Sequence, residues 1–206
     1  MVILYYMAIN IYTIGHSNHP IDKFLGLLRR HAITAIADVR SVPYSRRNPQ
    51  FNSKSLVASL DACGISYVSL GKELGARSED PTCYGKDGRV QYRQLAQTDL
   101  FKQGIDRVLT GAQRYRIALM CAEKEPLDCH RTLLVSRALE RNGAAITHIL
   151  GDGVLETNMA AMARLVEKVG LEKGDLFSDQ DGLIDAACTL REQKIAYVRE
   201  KIRDVI

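Results

Sequence analysis

The most constraining feature of this sequence is a repeated alternation between short apolar runs and segments with helical periodicity. The helical segments space their apolar residues three and four positions apart, as amphipathic helices do. Strands that alternate with such helices favour parallel pairing, because each helix carries the chain back across the sheet. The pattern predicts an α/β fold with a mainly parallel sheet of about five strands, flanked by helices on both faces. The predicted strands are residues 10–14, 33–39, 65–70, 115–120 and 145–150.

A length of 206 residues suits one domain, so we predict a single α/β domain over residues 1–206. Three segments fall outside the regular alternation. Residues 1–9 are an extra N-terminal segment, either a buried first strand or a stretch upstream of an alternative start at Met7. Residues 71–91 are polar and rich in glycine, and predict a long loop that is either a lid or a surface excursion. Residues 184–206 predict a C-terminal helix with a basic outer face.

The composition excludes several classes of protein. Apolar residues make up 46% of the chain and charged residues 25%, the proportions of a globular protein. No apolar run approaches the length of a membrane span, so we expect a soluble protein without a membrane partner. The five cysteines lack the spacing of a disulfide framework, which favours the reducing cytoplasm. The net charge of +4 permits an acidic partner, but it is mild for a nucleic-acid-binding protein.

Reactive and charged side chains follow three of the predicted strands at the point where each strand ends. They are His16, Ser17, Asp38, Arg40, Cys121 and Glu123. In open α/β sheets, ligands bind beyond the carboxyl ends of the strands, where the connecting loops converge. We therefore expect these side chains to share one edge of the sheet.

The segment CAEKEPLDCHR, from Cys121 to Arg131, has the densest group of reactive side chains in the chain. Asp128 is predicted to be the N-cap of a helix, which leaves Cys129 in its first turn beside His130 and Arg131. The positive end of the helix and a neighbouring arginine lower the pKa of a thiol in that position. The alternative is that both cysteines are small buried packing residues.

The leading hypothesis is a small enzyme that acts on an anionic substrate, such as a phosphate or a nucleotide-like molecule. Cys129 or Cys121 would be the nucleophile, and His16 or Glu123 would transfer protons. The residues expected to bind the substrate are Asp38, Arg40, Arg46, His130, Arg131 and Ser17. Arginine is suited to this task because its planar fork binds carboxylate and phosphate groups with two hydrogen bonds. A buried structural role for His16 and a solvated basic loop around Arg46 are the alternatives.

Two other functions stay open from the residues alone. The basic loops and the basic final helix suit a nucleic-acid-binding module without catalysis. Cys121, Cys129, His130 and His16 could supply sulfur and nitrogen ligands for zinc in a metal-binding or sensing domain. Their spacing matches no common zinc motif, so the sequence assigns no metal ligand, no cofactor and no oligomeric state.

Several motifs in order closely resemble those of the domain-of-unknown-function 488 family. They are TIGHSN, DVRSVPYSRRNPQFN, LGKELGAR, and CAEKEPLDCHR followed by HIL, and they extend from about Ile11 to about Arg199. The resemblance implies a bacterial or archaeal α/β domain with one shared site, and it does not supply a reaction. The recurrent motifs of the family fall on His16, Ser17, Asp38, Arg40, Arg46, Cys121, Glu123, Cys129, His130 and Arg131.

Overall fold

The computed structural model of the chain describes residues 9–171 and 180–199. Its strands are β1 (Asn10–Gly15), β2 (Ala35–Asp38), β3 (Ser66–Ser69), β4 (Ile117–Cys121), β5 (Ala145–Ile149) and β6 (Leu155–Thr157). They form one sheet in the order β3-β2-β4-β1-β5-β6. The first five strands pair in parallel, and β6 runs antiparallel to β5 at one edge. The predicted α/β class and mainly parallel sheet are confirmed.

Helices connect the strands of this sheet. They are α1 (Ile21–Arg30), α2 (Ser53–Asp61), α3 (Gly71–Leu74), α4 (Tyr92–Leu95), α5 (Asp99–Ala112), α6 (Arg137–Arg141), α7 (Asn158–Lys168) and α8 (Gln180–Ile195). Short 3-10 turns cover Pro49–Phe51, Pro81–Cys83 and Pro126–Asp128, and a π-helical turn, Arg131–Ser136, leads directly into α6.

The sheet separates two apolar layers, because successive side chains of a strand point to opposite faces. In β4, Met120 belongs to the layer covered by α1 and α2. Cys121, the next residue, belongs to the layer covered by α5 to α8. The predicted placement of helices on both faces is therefore confirmed, and the chemistry at the strand ends is divided between the two sides of the sheet.

One predicted helix begins too early in the sequence. The apolar spacing from Leu155 to Val169 predicts a helix, whereas Leu155–Thr157 forms strand β6 and α7 begins at Asn158. The Thr157 hydroxyl accepts a hydrogen bond from the Ala160 N–H at 3.2 Å and caps the helix. The sheet edge satisfies the backbone of the preceding residues, so the helix is not extended through them.

The segment 71–91 contains more structure than the predicted loop. Its first residues form α3, where Leu74 is buried, and a 3-10 turn follows at Pro81–Cys83. The end of the segment pairs with the end of the described chain, since the Val90 N–H donates to the Tyr197 carbonyl at 2.9 Å. Long-range contacts therefore hold this segment against the body of the protein.

The C-terminal helix predicted over 184–206 corresponds to α8, which begins at Gln180 and ends at Ile195. The predicted helix is too long, because residues 196–199 are not helical and Val198 instead forms an antiparallel bridge with Arg89. Residues 200–206 of that prediction and residues 1–8 of the predicted N-terminal segment lie outside the described residues. In the described ranges, no helix combines the length and apolar character needed to cross a bilayer.

Candidate active site at the carboxyl edge of the sheet

The site begins where β1 and β4 end side by side. The register pairs Gly15 with Cys121, and the His16 N–H extends this ladder to the Cys121 carbonyl at 2.9 Å. A Cβ at position 15 would lie 1.8 Å from the Glu123 carbonyl oxygen. Glycine is therefore required for the chain after β4 to cross over the end of β1.

Cys129 caps the helical run that follows this crossing. Its backbone is extended, and its carbonyl accepts hydrogen bonds from the N–H groups of Thr132 and Leu133 at 3.1 and 3.2 Å. Its Sγ accepts a hydrogen bond from the Arg131 N–H at 3.4 Å, as the oxygen of a capping side chain would. The thiol thus binds the Arg131 N–H in the first turn of the helical run.

The prediction that Asp128 is the N-cap is wrong by one residue. Asp128 ends the 3-10 turn before the helix, and its carboxylate pairs with Lys168 at 3.1 Å and with Arg191. Both partners are distant in sequence, so ion pairs made by the tertiary structure hold this carboxylate away from the helix start. The sulfur of Cys129 takes the capping position instead.

Three buried side chains meet beside this cap. The Sγ atoms of Cys121 and Cys129 lie 3.7 and 3.9 Å from Nδ1 of His130. The two sulfurs and the nitrogen all lie within 4.8 Å of one another, and together they could hold a metal ion. His130 Nε2 lies 3.0 Å from the Val39 carbonyl, which can only accept, so Nε2 carries a proton and Nδ1 faces the sulfurs.

The two thiols of this cluster are inequivalent. The hydrogen bond with Cys129 and burial raise the pKa of Cys121 well above its ordinary value. Burial also acts to raise the pKa of Cys129, but the hydrogen bond with Cys121 and the charges of Arg131 and His130 outweigh it and lower that pKa. The pKa of His130 is raised, because its contact with Cys129 outweighs burial. The arrangement favours a thiolate at Cys129.

Glu123 stands at the mouth of the site. Its side chain is exposed overall, while Oε2 lies 2.9 Å from Cys129 Sγ. Loss of solvent around the inner part of the carboxyl group and the charge of the Cys129 sulfur raise the pKa of Glu123. A carboxyl group with a raised pKa can hold and release a proton closer to neutral pH.

Arg131 is fully buried and its guanidinium group is bound within the protein. It donates to the carbonyls of Glu123 and Lys124 at 2.7 and 3.4 Å, and to the Thr13 hydroxyl at 3.4 Å. These bonds fix Glu123 and Lys124, the crossing segment that passes over the end of β1. Its charge therefore acts on Cys129 from inside the protein, and its hydrogen-bonding atoms hold the crossing segment in place.

A buried polar chain supports Arg131 from behind. Thr13 Oγ1 lies 2.8 Å from His148 Nδ1, and His148 Nε2 lies 2.9 Å from Asn158 Oδ1. Asn158 in turn donates to Glu140 at 2.6 Å. Burial lowers the pKa of His148 to about 4, so the ring is neutral near pH 7.

A second charged group lies at the end of β2. Arg40 donates to both carboxylate oxygens of Asp38, with distances of 2.9 and 2.6 Å, and both residues are buried. The Tyr67 hydroxyl donates to the same carboxylate at 2.8 Å. Asp38 and Arg40 are thus primarily paired with each other. Arg40 also lines a cavity that it shares with Cys129 and His130.

His16 lies behind Arg40 rather than on the cavity wall. Its Nδ1 lies 2.8 Å from the Ser17 carbonyl and its Nε2 lies 3.2 Å from Arg40, so both ring nitrogens are engaged. The ring stacks on Phe51 with centroids 4.3 Å apart. Burial, opposed by the bond to Ser17 and helped by the charge of Arg40, lowers the pKa of His16 to about 4.

A cavity of about 240 Å³ opens along this edge of the sheet. Among the predicted site residues, its wall contains Arg40, Cys121, Glu123, Cys129 and His130. Arg46 is exposed and Ser17 is half-buried, and neither side chain is part of the wall. The sheet edge therefore brings half of the predicted residues to one cavity.

The wall also includes residues that were not predicted as site residues from the sequence, among them Arg77, Tyr92 and Tyr197. The Arg77 guanidinium lies 4.7 Å from the centre of the Tyr197 ring, and it has no carboxylate partner within residues 9–171 and 180–199. Its place in the motif LGKELGAR was the available signal. Burial and the neighbouring Cys129 raise the pKa of Tyr92, which keeps this phenol neutral.

The comparisons with known proteins give one match. Residues 20–138 match the model of a family described as domain of unknown function DUF488. No curated protein and no solved structure matches the chain. The matched range covers more than half of the 206 residues and contains the segment from Cys121 to Arg131, while His16 and Ser17 precede it. The chain belongs to the DUF488 family.

Proposed function

We propose that the chain is an enzyme that uses Cys129 as a nucleophile to transfer a group from a small anionic substrate to water. One observation carries the proposal. The Cys129 sulfur lies on a cavity wall, accepts a hydrogen bond from the Arg131 N–H of a helical turn, and has a carboxyl oxygen of Glu123 2.9 Å away. A nucleophile beside a proton-transfer group is the arrangement that covalent catalysis needs.

The surroundings of Cys129 support a thiolate. The Arg131 N–H donates to the sulfur at 3.4 Å, and the fully buried Arg131 guanidinium adds a positive charge that no carboxylate of the described residues neutralises by ion pairing. His130 stands on the other side with Nδ1 3.9 Å from the sulfur. Positive charge and helix N–H groups are the features that activate cysteines in proteins.

The reaction has two steps that balance. The Cys129 thiolate attacks the electrophilic centre of a substrate R–X and forms a Cys129–S–R bond, while the leaving group X takes a proton from the Glu123 carboxyl. Water then attacks R, the Glu123 carboxylate takes one of its protons, and R–OH leaves with the thiolate restored. The sum is R–X plus water giving R–OH plus HX, with no oxidant or reductant.

The charge on the cavity wall supports an anionic substrate. Arg77 has an exposed guanidinium at the wall. Arg40 uses three of its donor positions on Asp38 and His16, which leaves two of the five N–H groups of a guanidinium for a ligand. Two arginines beside one thiol suit a carboxylate, phosphate or sulfate group.

The other predicted site residues take supporting roles in this proposal. Asp38 and His16 position Arg40, and Arg131 positions the segment that carries Glu123. Arg46 and Ser17 have no part in it. The nucleic-acid alternative has less support, because α8 carries more acidic than basic residues and its Arg191 is paired with Asp128.

The test compares the reaction of each cysteine with neutral iodoacetamide and with anionic iodoacetate. The reduced, chelator-treated protein is alkylated at pH 7 and each site is followed by mass spectrometry. We expect Cys129 to react at least about tenfold faster than the buried Cys188, because the thiolate is the reactive form. The preference of Cys129 for iodoacetate over iodoacetamide should exceed that of the half-buried Cys63, and Arg77→Gln should abolish the difference.

Two results would overturn the proposal. Cys129 that reacts only when the protein unfolds is a packing residue and not a nucleophile. If Cys129 reacts fast but shows no preference for iodoacetate, and Arg77→Gln changes nothing, Cys129 is still a nucleophile. The substrate is then not anionic.

A further inference from the structure

We infer that Cys121, Cys129 and His130 form a binding site for a thiophilic divalent cation, with zinc as the type case. The inference goes beyond the proposed function and does not depend on it. Cys121 has no role as a nucleophile in the proposed reaction. Its sulfur nevertheless lies within 4.8 Å of the Cys129 sulfur and of the ring nitrogen of His130.

The distances between the three donor atoms fit one metal ion. Zinc bonds of about 2.3 Å to sulfur and about 2.0 Å to nitrogen at tetrahedral angles place neighbouring donors about 3.5 to 3.8 Å apart. Here Nδ1 of His130 lies 3.7 Å from Cys121 Sγ and 3.9 Å from Cys129 Sγ. Both sulfur–nitrogen distances are within a few tenths of an ångström of that spacing, and the two sulfurs lie within 4.8 Å of each other.

The chemistry of the donors favours a soft or borderline cation. Two thiolates and one imidazole select zinc, cobalt or cadmium over magnesium or calcium, which prefer oxygen. All three side chains are buried, and the fully buried Arg131 and its N–H lie beside Cys129. The Arg131 N–H donates to the Cys129 sulfur at 3.4 Å, and such donors stabilise a thiolate at that position.

His130 has the support that a metal-binding histidine usually has. Its Nε2–H donates to the Val39 carbonyl at 3.0 Å, which fixes the ring and leaves the Nδ1 lone pair toward the sulfurs. Val39 follows β2 directly, so the sheet itself orients the ring. These are three of the four zinc ligands considered from the sequence, and His16 is not part of the cluster. Their spacing matches no common zinc motif because the strand end and the helix start contribute ligands from opposite ends of one loop.

The fourth position of the proposed site faces the cavity. The cavity wall includes all three donors, and Glu123 stands at the mouth with Oε2 2.9 Å from Cys129 Sγ. Three protein ligands with one open position are typical of zinc sites that bind water or substrate, whereas purely structural sites have four. A cation bound here would occupy the Cys129 thiolate and block its reaction with an electrophile.

The experiment measures binding of Co²⁺ and Zn²⁺ to the reduced, metal-free protein. Cobalt should give the sulfur-to-metal charge-transfer band and the strong visible bands of a tetrahedral site, at one ion per chain. Cys121→Ala and Cys129→Ala should each weaken binding by more than about 100-fold, since changes to outer-shell partners alone cost about 10- to 100-fold. Cys188→Ala is the matched control, because Cys188 is also buried but lies against Met162, away from the site.

A second measurement uses the wild-type protein and avoids variants that fail to fold. Zinc should protect Cys121 and Cys129 from alkylation, a chelator should restore their reactivity, and Cys63 should be unaffected. Failure of this proposal is separable from failure of the nucleophile proposal, because Cys121→Ala removes a metal ligand while leaving Cys129 in place.

Three results would overturn the inference. They are an absence of Co²⁺ and Zn²⁺ binding by the reduced protein, equal affinity in wild type and Cys121→Ala, and a Cys121–Cys129 disulfide whose reduction yields no binding. Fast alkylation of Cys129 together with any of these would leave the proposed function standing.

Discussion

Gly15 and the Glu123 carbonyl are in such close contact that a Cβ at position 15 would lie 1.8 Å from the oxygen. The same oxygen accepts a hydrogen bond of 2.7 Å from the buried Arg131. A glycine in one strand and an arginine in a distant helix thus fix the backbone of the residue that presents a carboxylate to Cys129. Four predictions follow from this arrangement and from the network behind it.

The Gly15→Ala substitution should disturb the site before it disturbs the fold. The added methyl group must displace the crossing segment, and overpacking of this kind costs about 1–3 kcal/mol. The Glu123 side chain should then lose its place beside the Cys129 sulfur. We expect a lower midpoint of urea unfolding and altered alkylation of Cys129 in the same variant.

Gly26→Ala is the matched control for that substitution. Gly26 is an exposed residue in α1, and a Cβ there would contact nothing within 4 Å. Alanine should be neutral or stabilise the helix by up to about 1 kcal/mol. If both glycine variants behaved alike, the close approach at Gly15 would not be a constraint on the fold.

Glu123→Gln should leave the reaction of Cys129 with iodoacetamide unchanged or make it severalfold faster at pH 7. The substitution keeps the shape of the side chain and removes an acidic group 2.9 Å from the sulfur, whose ionised form would disfavour the thiolate. Turnover of a substrate should fall, because the leaving group loses its proton donor. A large decrease in alkylation would instead make Glu123 the base that forms the thiolate.

Arg131→Lys should destabilise the protein by about 2–4 kcal/mol, although it conserves the charge. An ammonium group cannot reach the Glu123 and Lys124 carbonyls and the Thr13 hydroxyl together. Denaturant unfolding measures the loss. Arg46→Lys is the control, since Arg46 is exposed and a change there should stay within about 0.5 kcal/mol.

The stability of the protein should depend on His148 below neutral pH. Its pKa is lowered from 6.5 to about 4 in the folded protein, chiefly by burial. Both folded and unfolded states are neutral at this ring above pH 6.5, so it adds no pH dependence there. As the pH falls from 6.5 to 4, the ring binds a proton in the unfolded state but not in the folded state. The free energy of unfolding therefore falls by up to about 3 kcal/mol.

Urea unfolding of wild type and His148→Gln between pH 7 and pH 4 measures this contribution. The difference between their free energies of unfolding should change over that window. Taking the difference cancels the contribution of the carboxyl groups, which both proteins share. Parallel curves would contradict the assignment of His148 as a buried neutral group in the Thr13–Asn158 chain.

Much of the architecture could be predicted from the sequence, because strand and helix periodicities are local properties. The alternation of apolar runs and amphipathic segments predicted the parallel sheet, and the rule for carboxyl ends then grouped Arg40, Cys121 and Glu123 at one edge. Short elements were less predictable. Strand β6 at Leu155–Thr157 exists because β5 offers it an open edge, which no local pattern records.

The roles of the charged residues were decided by the tertiary structure. Nothing near Arg131 in the sequence indicates that it turns inward, since its partner Thr13 belongs to β1. Likewise, Asp128 fits the pattern of an N-cap, but Lys168 and Arg191 hold its carboxylate elsewhere.

The sequence by itself determined which chemical groups reach the carboxyl edge: two thiols, an imidazole, a carboxylate and arginines. The tertiary structure decided which of them meet. Asp38 pairs with Met120 across the sheet, and Met120 and Cys121 point to opposite faces, so Asp38 and the cluster around Cys129 lie on different sides of the sheet. That division depends on strand order and register, which are set by long-range pairing and cannot be read from the residues of any one strand.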